Sequence, residues 1–249
     1  DLSPLERCRY LSEVSFRLTS YPCDWDGGFV YQPEPFNPDI LRPLKNLTIK
    51  RLSIEAPSIY IDDIANDSLE HLSISSSNIF NLAYLNRCDE LISLTIDALQ
   101  SQKDIHETFD LSLLSGLTNL RSLSLNTWTK YIDFRPLIDI KSLTTLSVSH
   151  SGIRNIPDLS PIKDMASLKT IDFTDTFSYH DFRETGVIDL TPVLDNHTID
   201  RIDFGNMFIR CRLDRKNVSD GRVNIINASA LSEVLIDDKK YHLCELKNV

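Results

Sequence analysis

The six histidines (His71, His106, His150, His180, His197, His242) and five cysteines (Cys8, Cys23, Cys88, Cys211, Cys244) are the side chains best suited to nucleophilic, acid–base or metal chemistry. Their spacing does not assemble that chemistry. The histidines are scattered rather than paired at ligand spacing, no CxxC occurs, and HExxH, GxSxG, GxGxxG and the P-loop are absent from the sequence. Asp24 and Asp26 before Gly27 begin a calcium loop whose remaining ligands are missing. A Cys/His hydrolase using a pair such as Cys211 and His180 would need the fold to join distant residues. Cys8 and Cys88 stand at apolar positions, where a small buried thiol is the expected role. The sequence is therefore read as non-enzymatic, with no metal and no cofactor.

Composition narrows the partners. The chain has 249 residues, 26 of them basic and 36 acidic, for a net charge of −10. Hydrophobic residues make up 41% and mean hydropathy is −0.18, which describes a folded chain rather than a disordered or membrane-spanning one. An acidic surface repels nucleic acid and anionic lipid, so neither is expected, and it suits a basic protein partner. The odd, irregularly spaced cysteines favour reduced thiols and hence a cytoplasmic location. Five N-x-S/T triplets (Asn46, Asn66, Asn196, Asn217, Asn227) arise by chance in a chain this rich in Asn, Ser and Thr. The sequence opens at Asp1 without Met and already inside a repeat-like pattern, so upstream residues are expected to be missing; a signal there would make the location extracellular or surface instead.

An internal repeat organises nearly everything else. The pattern L-x-x-L-x-L recurs from first anchors at Ile49, Leu69, Leu91, Leu120, Leu143, Leu168 and Ile199, at intervals of 20, 22, 29, 23, 25 and 31 residues. Weaker copies run from Leu11 to Phe16 and from Leu231 to Ile236. The last two anchors alternate with period two, as on a short strand with one buried face. Before each strand an apolar residue falls every three positions, as at Ile153, Ile156, Leu159, Ile162, Met165 and Leu168, which suits 3₁₀ turns on the opposite side of a coil. One unit alone would leave its apolar edges bare, so the core must come from stacking of neighbours.

These repeats resemble the leucine-rich-repeat family. The 22-residue copy beginning Leu69-Glu70-His71-Leu72-Ser73-Ile74 is similar to the bacterial internalin type. That family places asparagine at the ninth position, whereas here Pro57, Ser77, Trp128, Ser151, Thr176 or Met207 stands there, so an irregular horseshoe is expected. Leu5-Glu6-Arg7-Cys8-Arg9-Tyr10-Leu11 and Leu85-Asn86-Arg87-Cys88-Asp89-Glu90-Leu91 also resemble the cysteine-containing repeats of F-box proteins. The resemblance implies an α/β solenoid with a parallel sheet on the concave face and 3₁₀ turns, short helices and loops on the convex face. It also implies a protein-recognition module.

The chain is read as one domain over 1–249: an N-terminal cap and first repeat (1–48) with an aromatic insertion, central repeats (49–207), and a C-terminal β-hairpin with a capping repeat (208–249). Three interruptions stand out, at Arg17 to Asp39, Asp97 to Asp110 and Thr174 to Val187. The first and third are aromatic and carry the loop candidates Trp25, Tyr31, Tyr179 and His180, while the second is polar and reads as a solvated loop. The alternating Phe208 to Leu213 and Arg222 to Ile225 are expected to pair as the hairpin, which would display Arg210 and Arg212 in the one basic cluster of the chain.

The outward x positions of the strands form the principal candidate surface. Its members are Lys50, Arg51, Glu70, His71, Thr95, Arg121, Ser124, Thr145, Lys169, Asp172, Asp200, Arg201 and Asp203. Adjacent strands lie about 4.8 Å apart, so these side chains form a polar grid that turns acidic toward Asp172, Asp200 and Asp203. The expected function is non-enzymatic binding of another protein by this face and the flanking loops, as in an immunity-type inhibitor. An F-box-type receptor and a surface adhesin are the alternatives.

Overall fold

The computed structural model describes residues 2–8, 11–18, 37–98, 106–127, 129–149, 157–174, 176, 187–205, 209–213, 224–226, 231–236 and 239–241. Nine parallel strands, one per coil, form the principal sheet: β1 (Glu13–Arg17), β2 (Arg51–Glu55), β4 (His71–Ser76), β6 (Ser93–Ala98), β8 (Ser122–Thr127), β10 (Thr145–Ser147), β11 (Thr170–Asp172), β13 (Arg201–Asp203) and β15 (Asn224–Ile226). The other strands are β3 (Ser58–Tyr60), β5 (Asn78–Phe80), β7 (His106–Phe109), β9 (Thr129–Ile132), β12 (Ile188–Asp189), β14 (Ile209–Leu213), β16 (Leu231–Ile236) and β17 (Lys239–Tyr241). They form three smaller sheets, β3–β5, β7–β9 and β12–β14–β16–β17. The chain is thus a leucine-rich-repeat solenoid in architecture.

Register explains the stacking. Strand β4 alternates, with Leu72, Ile74 and Ser76 buried and His71, Ser73 and Ser75 turned outward. Pairing in register lines up Leu52, Leu72, Leu94, Leu123, Leu146, Ile171 and Ile202 in one buried row, and Ile54, Ile74, Ile96 and Leu125 in the next. A one-residue slip would turn both rows into water, so the hydrophobic pattern holds the register.

The return path uses two repeated devices. Asp110, Asp133, Asp158 and Asp189 each accept the backbone N–H two residues on, from Ser112, Arg135, Ser160 and Thr191, at 2.9–3.0 Å. These carboxylates open the 3₁₀ turns Leu111–Leu114, Arg135–Asp139 and Ser160–Asp164 and the one α-helical turn among the described residues, α1 (Thr191–Asp195). The second device is a ladder of i→i−3 hydrogen bonds that carries the chain into the next strand. Its middle residue, three before the strand anchor, is Cys8, Cys88, Leu117, Ile140, Met165 or Asn196, so cysteine occupies a place that other coils give to leucine, isoleucine, methionine or asparagine.

Hydroxyls replace the missing asparagine ladder. The residue just before the strand anchor lies against the anchor carbonyl of the preceding coil: Ser68 against Ile49 (3.1 Å), Ser142 against Leu120 (2.6 Å) and Thr198 against Leu168 (2.7 Å). At the ninth position, Thr176 is buried and donates to the Val148 carbonyl at 2.7 Å.

Four expectations need correction. Residues 209–213 and 224–226 do not pair as a hairpin: β14 runs parallel to β12 and β16, while β15 joins β13 in the principal sheet. They are successive parts of one coil, disguised because Arg222 and Asn227 fill the two anchor positions flanking Ile225. The copy at Leu231 to Ile236 lies in the four-stranded sheet rather than the principal one, and the antiparallel hairpin of this region is β16–β17. The second interruption contains β7, paired in parallel with β9, so it is not simply a solvated loop. Finally, Cys88 is buried but Cys8 is exposed, because Cys88 sits between coils while no described coil lies beyond Cys8.

Candidate partner-binding face

Strand register converts the outward x positions into lanes that cross the sheet. One lane runs Glu13, Arg51, His71, Ser93, Ser122, Thr145, Thr170, Arg201 and Asn224. The next runs Ser15, Ser53, Ser73, Thr95, Ser124, Ser147, Asp172 and Asp203. Lys50, Glu70, Arg121, Lys169 and Asp200 each immediately precede a sheet strand. All thirteen principal candidates therefore lie on or beside one face. Lys50, Arg51, Arg121, Lys169, Asp200 and Arg201 are exposed, and the others are half-buried.

The face divides into three electrostatic zones. At the N-terminal end charges pair between neighbouring coils, Arg17 with Glu55 and Lys50 with Glu70. The hydrogen bond from Lys50 holds the Glu70 carboxyl below its ordinary range, although pairs this exposed add little stability. The centre is hydroxyl-rich, with Ser93, Thr95, Ser122, Ser124, Thr145 and Ser147, and carries the charges of Asp97 and Arg121. The C-terminal end carries Lys169, Asp172, Asp200, Arg201 and Asp203.

The carboxylates at that end are not equivalent. Asp172 accepts the Thr174 N–H at 2.9 Å and the Ser147 hydroxyl at 3.1 Å. Asp203 accepts the Gly205 N–H at 3.0 Å and lies 3.6 Å from the Arg201 guanidinium. Both therefore shape the turn that leaves their strand, a role the sequence reading missed although the D-x-T and D-x-G spacing carries it. By contrast the side chains of Arg121, Lys169 and Asp200 make no hydrogen bond or ion pair among the described residues.

The remaining candidates are dispersed. Trp25, Tyr31, Tyr179 and His180 lie outside the described residues, and Arg210 lies in β14, where its side chain is not described. Arg212 is exposed but belongs to the four-stranded sheet, away from the principal one. Among the described residues no cluster of three or more His, Cys, Asp or Glu could hold a metal, and no helix is long and apolar enough to cross a membrane. Burial pushes the Cys88 thiol up to about 11 and the Cys211 thiol up to about 12, which keeps both neutral and poorly nucleophilic.

No protein-family model and no curated protein sequence matches the chain. Similarity appears among solved structures. An internalin from Listeria monocytogenes matches 79% of this chain and 50% of its own length at 21% identity, with a TM-score of 0.50. A leucine-rich-repeat protein from Leptospira interrogans matches 85% of this chain and 50% of its own at 15% identity, with a TM-score of 0.56. The chain thus spans about half the length of each. At these identities the likeness establishes the fold.

Proposed function

We propose that this leucine-rich-repeat chain is a non-enzymatic recognition module that binds another protein across its concave face. The fold supports the general reading, since stacked repeats present extended surfaces used for protein recognition. The observation that carries the specific one is the set of exposed, uncommitted charges at Arg121, Lys169 and Asp200 beside a hydroxyl-rich centre. Such groups can form charge-assisted hydrogen bonds with a partner without first breaking internal ones. The net charge of −10 favours a basic partner, and masking such a partner in the cytoplasm is the role of an immunity-type inhibitor. The flanking loops, including Trp25, Tyr31, Tyr179 and His180, would extend the contact.

The test is affinity capture from source lysate with mass spectrometry, comparing wild type with a variant carrying Arg121→Glu, Lys169→Glu and Asp200→Lys. These sites avoid Asp172 and Asp203, whose substitution would disturb their turns. A partner enriched by wild type and lost from a variant of unchanged melting temperature supports the concave site. Undiminished capture by that variant overturns it.

A further inference from the structure

A cleft of about 570 Å³ lies at the junction of the β7–β9 sheet with the turns of three successive coils, and none of the candidates on the principal sheet lines it. Its floor is apolar, formed in part by buried Leu111, Ile132 and Pro157. Tyr131 also lines the cleft and is 53% exposed, although Thr129 and Ile132 of the same strand are buried. A volume of this size accommodates a short stretch of polypeptide.

The charge at the cleft selects its occupant. Among the described residues Arg135 is the one cation lining it, and its guanidinium is already forked onto Asp133, with Nε 2.9 Å from Oδ1 and a terminal nitrogen 2.8 Å from Oδ2. Asp110 and Asp158 supply two further carboxylates. Each uses Oδ1 to accept a backbone N–H, from Ser112 and Ser160, and neither Oδ2 has a hydrogen bond among the described residues. The Asp158 charge also acts on Arg135 through space, but the described lining retains an excess of two negative charges, three carboxylates against one guanidinium. An anionic ligand would meet that excess. A long cationic side chain matches it, because its methylenes cover apolar surface while its head remains with the carboxylates, and an exposed tyrosine face attracts the same cation.

We propose that this cleft is a second docking site, separate from the concave face, that takes an arginine or lysine side chain of a partner polypeptide. The stem lies on the Leu111, Ile132 and Pro157 floor, and the cation is held by the Tyr131 ring and the Asp110 and Asp158 carboxylates.

The probe is a blocked, fluorescein-labelled hexapeptide containing two arginines, titrated against the full chain by anisotropy. Saturable binding is expected, weakened about threefold to fivefold by Tyr131→Ala. The double substitution Asp110→Asn and Asp158→Asn keeps the Oδ1 acceptors that open the turns and should weaken binding about tenfold with an unchanged circular-dichroism spectrum. A citrulline version of the peptide should not bind, and Asp200→Lys on the concave face should leave binding intact. Absence of saturable binding, equal binding by Tyr131→Ala and the asparagine variant, or equal binding of the citrulline peptide overturns the proposal. Loss of binding in Asp200→Lys alone also overturns it, by placing the peptide on the concave face.

Discussion

The Thr198 hydroxyl lies 2.7 Å from the carbonyl of Leu168 in the preceding coil and 2.6 Å from Oδ1 of Asn196, so one proton is shared between two acceptors. Five coils nearer the N-terminus, Ser68 stands in the same relation to the Ile49 carbonyl and to Asn66. A hydroxyl just before the strand anchor, backed at these two coils by an asparagine two residues earlier, joins one coil to the next.

This arrangement predicts unequal costs for near-isosteric changes. Replacing Thr198 with Val keeps the shape and removes the donor, and should destabilise the chain by about 1–2 kcal/mol. Ser142→Ala should cost about 1 kcal/mol, since Ser142 has only the Leu120 carbonyl as its partner. Urea unfolding of each variant measures the difference, and an unchanged midpoint would show that the hydroxyls contribute nothing.

Asn196 is buried and donates through Nδ2 to the carbonyls of Ile162 (2.7 Å) and Met165 (2.9 Å) while Oδ1 accepts the Thr198 N–H. Asn196→Ala should therefore cost about 2–3 kcal/mol, more than removing the threonine hydroxyl, because several buried groups lose partners. Combined with Thr198→Val, the loss should be less than additive by about 1 kcal/mol. Additive losses in the double-mutant cycle would separate the two residues energetically.

Gly205 has φ +63°, and a Cβ there would come 2.7 Å from Thr174 Cγ2 and 3.2 Å from Thr174 Cα. Gly205→Ala combines left-handed backbone with a contact that the neighbouring coil must yield to, so a loss of about 1–3 kcal/mol is expected in thermal or urea unfolding. Stability equal to wild type would mean that the turn after β13 readily rearranges.

The thiols give a pH prediction with a definite sign. The Cys88 and Cys211 thiols are raised from an ordinary 9.0 to about 11 and about 12, mainly by burial. Above pH 9 the unfolded chain releases these protons while the folded chain retains them. Their contribution is thus complete below that pH and declines, by up to about 1 kcal/mol per unit for each thiol, as pH rises through the folded values. Urea midpoints from pH 8 to 10.5 should fall less steeply in Cys88→Ala, measured against that variant's own value at pH 8. Iodoacetamide at pH 8 should modify exposed Cys8 in the native chain and reach Cys88 and Cys211 only after denaturation.

Legibility followed the strength of the local pattern. The seven strong copies, from Ile49 to Phe204, were readable because each strand presents two apolar anchors in alternation and each return path repeats one every three residues. The coil built on Ile225 was not, since Arg222 and Asn227 occupy its neighbouring anchor positions, and the regular alternation at Leu231 to Ile236 belongs to the second sheet. One signal was present but unread. Asp110-Leu111-Ser112, Asp133-Phe134-Arg135-Pro136, Asp158-Leu159-Ser160-Pro161 and Asp189-Leu190-Thr191-Pro192 mark the start of successive return turns, and Asp1-Leu2-Ser3-Pro4 has the same form.

The sequence by itself determined the solenoid, the buried rows and the membership of the polar face, because period two and period three are local properties and stacking must match them. Tertiary structure alone decided how those polar groups are used. It committed Asp172 and Asp203 to the turns after their strands, left the side chains of Arg121, Lys169 and Asp200 without partners among the described residues, and gathered Tyr131, Asp110 and Asp158 from different coils around one cleft. Such assignments depend on distances between residues about one repeat apart, which a pattern of residue types does not contain.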